Sequence, residues 1–412
     1  MLHDQARHEA LLTRAWDESL ARRTIERIVR DTEKRCSGDR WWPLHAKDAD
    51  GSDNADEPAF TLYHGAAGVI WALNYLHGVG AALHSMPCWG MAALDELLER
   101  NHAALAAGMP NDEAASYLMG DTPILMMAQG IEPKPERADR LAALIERNIE
   151  HPAREILWGA PGTMLAALFL HERFGSQDAR WAELFRRSAA RLWSQLEWSQ
   201  EHGCHFWTQD MYGQRSTYID AVHGFVGTGF VVLRGGVLLT ADELSAWQRV
   251  IETTVVRTVT REDGRANWRP GLTSSRPGPP PMLMQYCHGA PGFVFCLAPF
   301  VSHALDALLL EAGEAIWHAG PLAKGSNLCH GTGGNGYAFL KLYERSGDAR
   351  WLERARAFAM HGIAQVESDE RAHGQQRYSL WTGDPGFAIY LWDCIRGCSA
   401  FPTLERYSRS SS

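Results

Sequence analysis

A Gly-x-x-Gly step recurs along this chain, and a repeat at this spacing restricts the fold more than any other feature. It appears in "YHGAAGVIWAL" (Gly65, Gly68), "LWGAPGTMLAAL" (Gly159, Gly162), "AVHGFVGTGFVVL" (Gly224, Gly227), "CHGAPGFVFCL" (Gly289, Gly292), "CHGTGGNGYAF" (Gly331, Gly334) and "WTGDPGFAIYL" (Gly383, Gly386). "LMGDTPILMMA" is a degenerate copy, with Gly120 but Pro123 in place of the second glycine. The first glycines stand 39 to 65 residues apart, room for two helices and their loops each time. "ERFGSQDARWAELF" at 172–185 and "ERSGDARWLERARAF" at 344–358 echo each other, so the period extends beyond the glycines. Each copy reads as one helix closed by glycine and another opened near Asp.

The segment after each step is apolar almost all round, as in "GYAFLKLYERSG", whereas the segments between are amphipathic, with Trp351, Leu352, Ala355 and Ala359 sharing a face. A helix apolar on every side is buried, and one with a single apolar stripe covers it. Two concentric helical layers follow: an all-α fold, an α/α toroid of seven helical hairpins with an inner and an outer ring. The expectation is a single domain over 1–412, with an N-terminal helix over about 1–35 and the repeats from about 60 to 395. A chain of 412 residues exceeds the roughly 250–300 at which one ordinary core stops growing, which suits a repeat-built domain. The acidic "KDADGSDNADEP" and the proline-rich "RPGLTSSRPGPPP" read as surface loops or lids.

Composition removes several function classes. A net charge of −9 without a basic run argues against nucleic acid as a partner. The longest apolar region, 225–239, is interrupted by Arg234 and glycines and falls short of the ~20 residues that span a bilayer, so no transmembrane segment is expected. The first thirty residues resemble an amphipathic helix and not a targeting signal, and a cytoplasmic location is expected. Eight cysteines in a chain of this length point to reduced thiols. Cys36, Cys88, Cys204, Cys296, Cys394 and Cys398 read as core or surface thiols without chemical context.

Two of the steps are preceded by Cys-His. Placed at one mouth of the toroid, His223, Cys287, His288, Cys329 and His330 would meet although they are distant in sequence. Thiolate and imidazole are the ligands zinc prefers, and three of them with an open position is a catalytic pattern. A glycosidase on the same fold would instead need two carboxylates, for which Asp121, Glu155, Asp220 and Asp384 are candidates, with the Cys-His pairs idle. A zinc-stabilised peptide- or glutathione-binding scaffold is the third class.

At "QYCHGAPGF", "KGSNLCHGTGGNGYAFLKLY" and "YSLWTGDPGFAIYLWDC…AFPTLE" the chain resembles the lanthionine synthetase C-like (LanC-like) family, over most of its length from 62 to 400, and resembles the eukaryotic-type branch more than the bacterial lantibiotic cyclases. The resemblance implies a seven-hairpin toroid with one zinc, held here by Cys287, Cys329 and His330; His288 is not a ligand in that pattern. It also implies an acid/base histidine at His223, a supporting carboxylate at Glu155 and a basic pocket residue at Lys324. Pro123 for glycine, and Thr382 where eukaryotic-type members often carry Glu, depart from the pattern.

The activity implied is addition of a thiol, glutathione or a peptide cysteine, to dehydroalanine or dehydrobutyrine in a peptide or protein, giving a thioether. The eukaryotic-type ending and Lys324 favour glutathione over the ring-forming peptide cysteine of a lanthionine cyclase. The chain shows no dehydratase domain, so the alkene is expected from a separate enzyme or from phosphate loss at a damaged site.

Overall fold

A computed structural model of the protein describes residues 1–36, 41–49, 58–83, 89–108, 113–273 and 281–407. Most of the acidic and proline-rich inserts, and Cys88, lie outside the described residues. Seven helices follow the seven glycine steps: α2 (Ala66–Gly78), α4 (Thr122–Ile131), α6 (Ala160–Phe174), α8 (Phe225–Arg234), α10 (Ala290–Leu297), α12 (Thr332–Ser346) and α14 (Asp384–Arg396). Seven more alternate with them: α1 (Glu18–Arg35), α3 (Met91–Gly108), α5 (Pro135–Asn148), α7 (Arg180–Ser194), α9 (Ala241–Thr258), α11 (His303–Ala319) and α13 (Ala349–His373). The degenerate copy still opens a helix. There Asp121 is the N-cap, and Pro123 falls in the first turn of α4, where no intrahelical N–H is needed.

The two sets differ as their patterns require. Every residue of α6 from Ala160 to Leu170 is buried, as is every residue of α14 from Asp384 to Cys394. By contrast α7 buries one face, through Trp181, Leu184, Phe185, Ser188 and Leu192. Its solvent side carries arginines that reach back toward the preceding hairpin, Arg180 to Asp139 at 2.5 Å and Arg191 to Glu150 at 2.7 Å. Such exposed pairs add roughly 0–1 kcal/mol each, so burial and not charge holds the layers together.

The chain divides into two compact units, Met1–Asp4 with His102–His318, and Gln5–Asn101 with Ala319–Ser412. In the first, α4, α6, α8 and α10 pack side by side in chain order, with α5, α7 and α9 against them. In the second, α12, α14 and α2 form a row, with α13 packed on α12 and α1 on α14. The N-terminal helix is confined to Glu18–Arg35, shorter than the 1–35 expected, because Asp17 caps it by accepting the Leu20 amide at 2.9 Å. Residues 7–9 instead run beside 321–323, through Glu9 N to Pro321 O and Ala323 N to Arg7 O.

The helix starts have a common construction. In α2, α8 and α12 the first three amides donate to carbonyls seven residues earlier: Ala66, Ala67 and Gly68 to Ala59, Phe60 and Thr61; Phe225, Val226 and Gly227 to Tyr218, Ile219 and Asp220; Thr332, Gly333 and Gly334 to Gly325, Ser326 and Asn327. The preceding loop thus supplies the acceptors that a side-chain cap usually gives. That fold-back brings backbone against backbone. A Cβ on the second glycine would lie 2.2 Å from Leu62 O at Gly68, 2.2 Å from Ile156 O at Gly162, 2.1 Å from Ala221 O at Gly227 and 1.8 Å from Leu380 O at Gly386. At these four positions nothing larger than glycine fits.

Three short antiparallel hairpins add the only strands among the described residues, all in the first unit: β1 (Glu197–Ser199) with β2 (Cys204–Phe206), β3 (Gln209–Met211) with β4 (Gln214–Ser216), and β5 (Val259–Glu262) with β6 (Arg265–Trp268). No helix among the described residues is long and apolar enough to cross a membrane.

Gly162→Ala is expected to lower stability by roughly 3 kcal/mol or more, since the new methyl meets a carbonyl and not a yielding side chain. Gly90→Ala, with open space around it, should stay within about 0.5 kcal/mol of wild type. Denaturant unfolding of both variants checks the contrast.

Candidate functional site

The fold-back leaves a turn just before each helix, and a second device fixes it. The position four before each first glycine is polar in all seven copies: Thr61, Ser116, Glu155, Asp220, Gln285, Asn327 and Ser379. In five copies its side-chain oxygen accepts the amide of the residue immediately before the glycine: Thr61 from His64, Ser116 from Met119, Glu155 from Trp158, Asp220 from His223 and Asn327 from His330. The residue just ahead of the glycine, His223 and His330 among them, is therefore held by its own backbone.

In the first unit this device also reaches the neighbouring loop. Glu155, fully buried, uses Oε1 to accept the Trp158 amide at 2.6 Å, and Oε2 to accept the Leu157 amide at 2.9 Å and meet His223 Nδ1 at 3.0 Å. Asp220, equally buried, takes the His223 amide on Oδ1 at 2.9 Å and meets His288 Nδ1 with Oδ2 at 2.6 Å. Each carboxylate thus ties down its own loop and orients the imidazole of the next. The two imidazoles lie with ring centres 6.0 Å apart, and Tyr218 sits 5.9 and 6.0 Å from them. A carboxylate on Nδ1 fixes the ring and directs Nε2, the far nitrogen, to proton exchange.

Cys287 is one residue from that pair, on a differently built loop. Gln285 and His288 exchange both backbone hydrogen bonds, and Gly289 has φ of 108°, which only glycine adopts without strain. Asn267 of β6 replaces the missing fold-back by accepting the Ala290 amide at 2.6 Å. The Cys287 sulfur, buried, accepts a hydrogen bond from Gln285 Nε2 at 3.0 Å.

The second unit holds Cys329, His330 and Lys324. The amides of Leu328 and Cys329 both donate to Trp381 O, and the Trp381 amide donates to Tyr63 O, so three loops of this unit are stitched together. The Tyr63 hydroxyl donates to Cys329 Sγ at 2.9 Å, and its ring stacks on Trp381 at 5.8 Å. His330 is half-buried beside it. Lys324 is exposed, and its carbonyl accepts from Asn327 Nδ2 at 3.4 Å.

The four carboxylates considered for glycosidase chemistry are each bound to the scaffold. Asp121 accepts from His102 and Arg140, and Asp384 accepts the Arg377 amide at 2.9 Å. Burial pushes the Asp384 carboxyl up to about 6. Tyr63, Trp381, Gln285 and Tyr218 were not expected beside these residues; Tyr63 meets Cys329 and Tyr218 meets His288 across loops far apart in sequence, whereas Gln285 meets Cys287 within one turn.

The sequence profile of the lanthionine synthetase C-like protein family matches residues 57–405, so the chain belongs to that family. It is 28% identical over 381 residues to Glutathione S-transferase LANCL1 of Danio rerio, covering 86% of this chain and 87% of that protein. It is also 29% identical over 264 residues to LanC-like protein GCL1 of Arabidopsis thaliana, covering 61% of this chain and 57% of that one. These relatives are eukaryotic-type members. Among solved structures, nisin cyclase aligns over 93% of this chain and 96% of its own with a TM-score of 0.59 at 15% identity. That likeness shows the fold class, the all-α helical toroid.

Glu155→Ala should cost several kcal/mol, because it strands the half-buried Leu157 amide and the buried Trp158 amide at about 1–3 kcal/mol each. Glu155→Gln can accept only one of the two groups of donors well and should lie between Ala and wild type. Thermal unfolding of the three proteins gives the order.

Proposed function

We propose that the chain, acting as one domain over 1–412, adds a thiol to dehydroalanine or dehydrobutyrine residues of a peptide or protein and forms a thioether, with glutathione as the preferred thiol. The observation that carries this reading is the His223 imidazole held through Nδ1 by the buried Glu155, a proton carrier without a nucleophile of its own. In this proposal Cys287, Cys329 and His330 hold one zinc ion. Two sulfurs and one imidazole are the donor types zinc prefers. The hydrogen bonds from Gln285 to Cys287 and from Tyr63 to Cys329 suit sulfurs carrying negative charge. A zinc ion bound there would supply the positive charge that draws the proton from a substrate thiol near neutral pH, the free thiol having a pKa of about 8.5.

The chain's own residues complete the step. Attack of sulfur on the alkene β-carbon forms the C–S bond and moves the π electrons to the α-carbon, which must then receive a proton. His223 delivers it from Nε2, while Glu155 holds the ring in place and steadies its charged form through Nδ1. Lys324, which the resemblance makes a pocket residue, would attract a carboxylate of glutathione; its exposure limits that contribution to a few-fold. The name of the Danio rerio relative supports glutathione as the thiol, and a cytoplasmic location accords with free glutathione.

Purified wild type should carry one zinc and Cys329→Ala should not; equal metal in both contradicts the ligand set. His223→Ala should retain zinc and lose most addition of glutathione to a dehydroalanine peptide, by roughly 10²–10⁴-fold, the usual worth of a positioned acid. A mass assay of the adduct reads this. If wild type instead closes rings from an internal cysteine and ignores glutathione, the protein is a peptide cyclase.

A further inference from the structure

A cavity of about 230 Å³ in the first unit is used by none of the steps above. Its walls include Glu113, His151, Trp158, Asp210 and Tyr212. Trp158 connects it to the proposed reaction centre, because the Trp158 amide is one of the groups that holds Glu155.

The lining is chemically one-sided. Glu113 is buried, with 3% of its surface exposed, and Asp210 is half-buried. Among the described residues no lysine or arginine lines the cavity. Its one histidine is already engaged on both ring nitrogens: His151 Nδ1 accepts the Ala153 amide at 3.2 Å, and Nε2 lies 3.1 Å from Glu113. The guanidinium of neighbouring Arg154 is engaged by backbone and amide oxygens: Thr208 O, Gln195 Oε1 and, at 3.5 Å, Pro152 O on the cavity wall. Arg215 is the cross-strand partner of Asp210 and is exposed. Two aromatic rings complete the walls, Trp158 and Tyr212, edge to face at 5.6 Å. Burial, with the charges of Glu113 and Glu155, raises the Tyr212 hydroxyl above the ordinary phenol range and keeps it protonated. Carboxylates with aromatic faces are the surroundings that favour an organic cation over an acid or a simple hydrocarbon.

We propose that this cavity is a subsite for a cationic side chain, arginine or lysine, flanking the dehydroamino acid in the peptide substrate. The proposal rests on the thiol-addition reading for the identity of the peptide, although binding at the cavity requires neither thiol nor turnover. Selection of basic peptides would then be made in the same unit that carries His223, next to the loop that orients it.

The test is binding of fluorescent peptides with alanine at the alkene position and a single arginine moved from three residues before it to three after. Norleucine replaces arginine in the controls, and anisotropy is read at physiological ionic strength. At one position or more, arginine should bind about tenfold more tightly than norleucine, the effect of one well-placed charge contact. Glu113→Gln combined with Asp210→Asn should reduce that ratio to within about twofold, a loss of the same charge contact. Gln at 113 still accepts from His151. Tyr212→Gly, which removes the ring and tolerates the φ of 57° found there, should reduce it in part. Equal binding of arginine and norleucine at every position, or a preference that survives both variants, overturns the subsite. A protein that adds thiols without arginine preference sinks this inference alone; one that prefers arginine peptides but adds no thiol sinks the activity alone.

Discussion

The turn before each glycine is the constraint on which the rest depends. Buried helices begin there, and a buried helix start leaves amides that must find acceptors. This chain meets the need by folding the preceding loop back, as in Phe225, Val226 and Gly227 to residues seven earlier. The fold-back forces backbone contact, and the contact forces glycine. It also leaves only the residues just ahead of the glycine free to vary without loss of the helix. Cys-His pairs and His223 occupy those positions.

Glu155 and Asp220 show how closely support and chemistry are joined. At the equivalent position Thr61 and Asn327 have one side-chain oxygen and hold their own turn, while the Ser116 hydroxyl holds its own turn and also donates to Leu157 O of the next loop at 2.6 Å. A carboxylate has two, and the second oxygen in each case reaches an imidazole one repeat further on. Changing the carboxylate therefore disturbs stability and ring orientation together, and the two effects must be separated by comparing Gln with Ala. The repeat itself provides a route to such a dyad: a polar turn residue lengthened to a carboxylate already faces the neighbouring loop.

Much of this was legible in the sequence. The glycine step located all seven buried helices, the degenerate copy included, because close backbone approach leaves an unambiguous mark. Glu155 was reachable only through the family resemblance, although the polar residue four before every glycine is visible once the turn is known. The short hairpins were missed. Asp263-Gly264, with φ of 53° and 70°, is a two-residue turn that the "DG" dipeptide signals directly, set between two helical repeats. The loop of Cys287 was not legible at all, since Asn267, twenty-three residues from the amide it caps, replaces the usual fold-back. Tyr63 on Cys329 is likewise a contact over 266 residues. Helix α1 was drawn too long because an amphipathic pattern does not reveal where a cap intervenes, and Asp17 does so here.

The central claim is that the chain delivers the proton that completes thiol addition, and the configuration of the product records that delivery. Glutathione addition to a dehydroalanine peptide in deuterated water, with the two α-carbon epimers separated and weighed, is the direct measurement. A proton brought to one face by a held imidazole predicts a single epimer carrying one deuterium at the α-carbon. Equal amounts of both epimers from the wild-type protein would mean that solvent protonates an unguided carbanion, and would contradict the account.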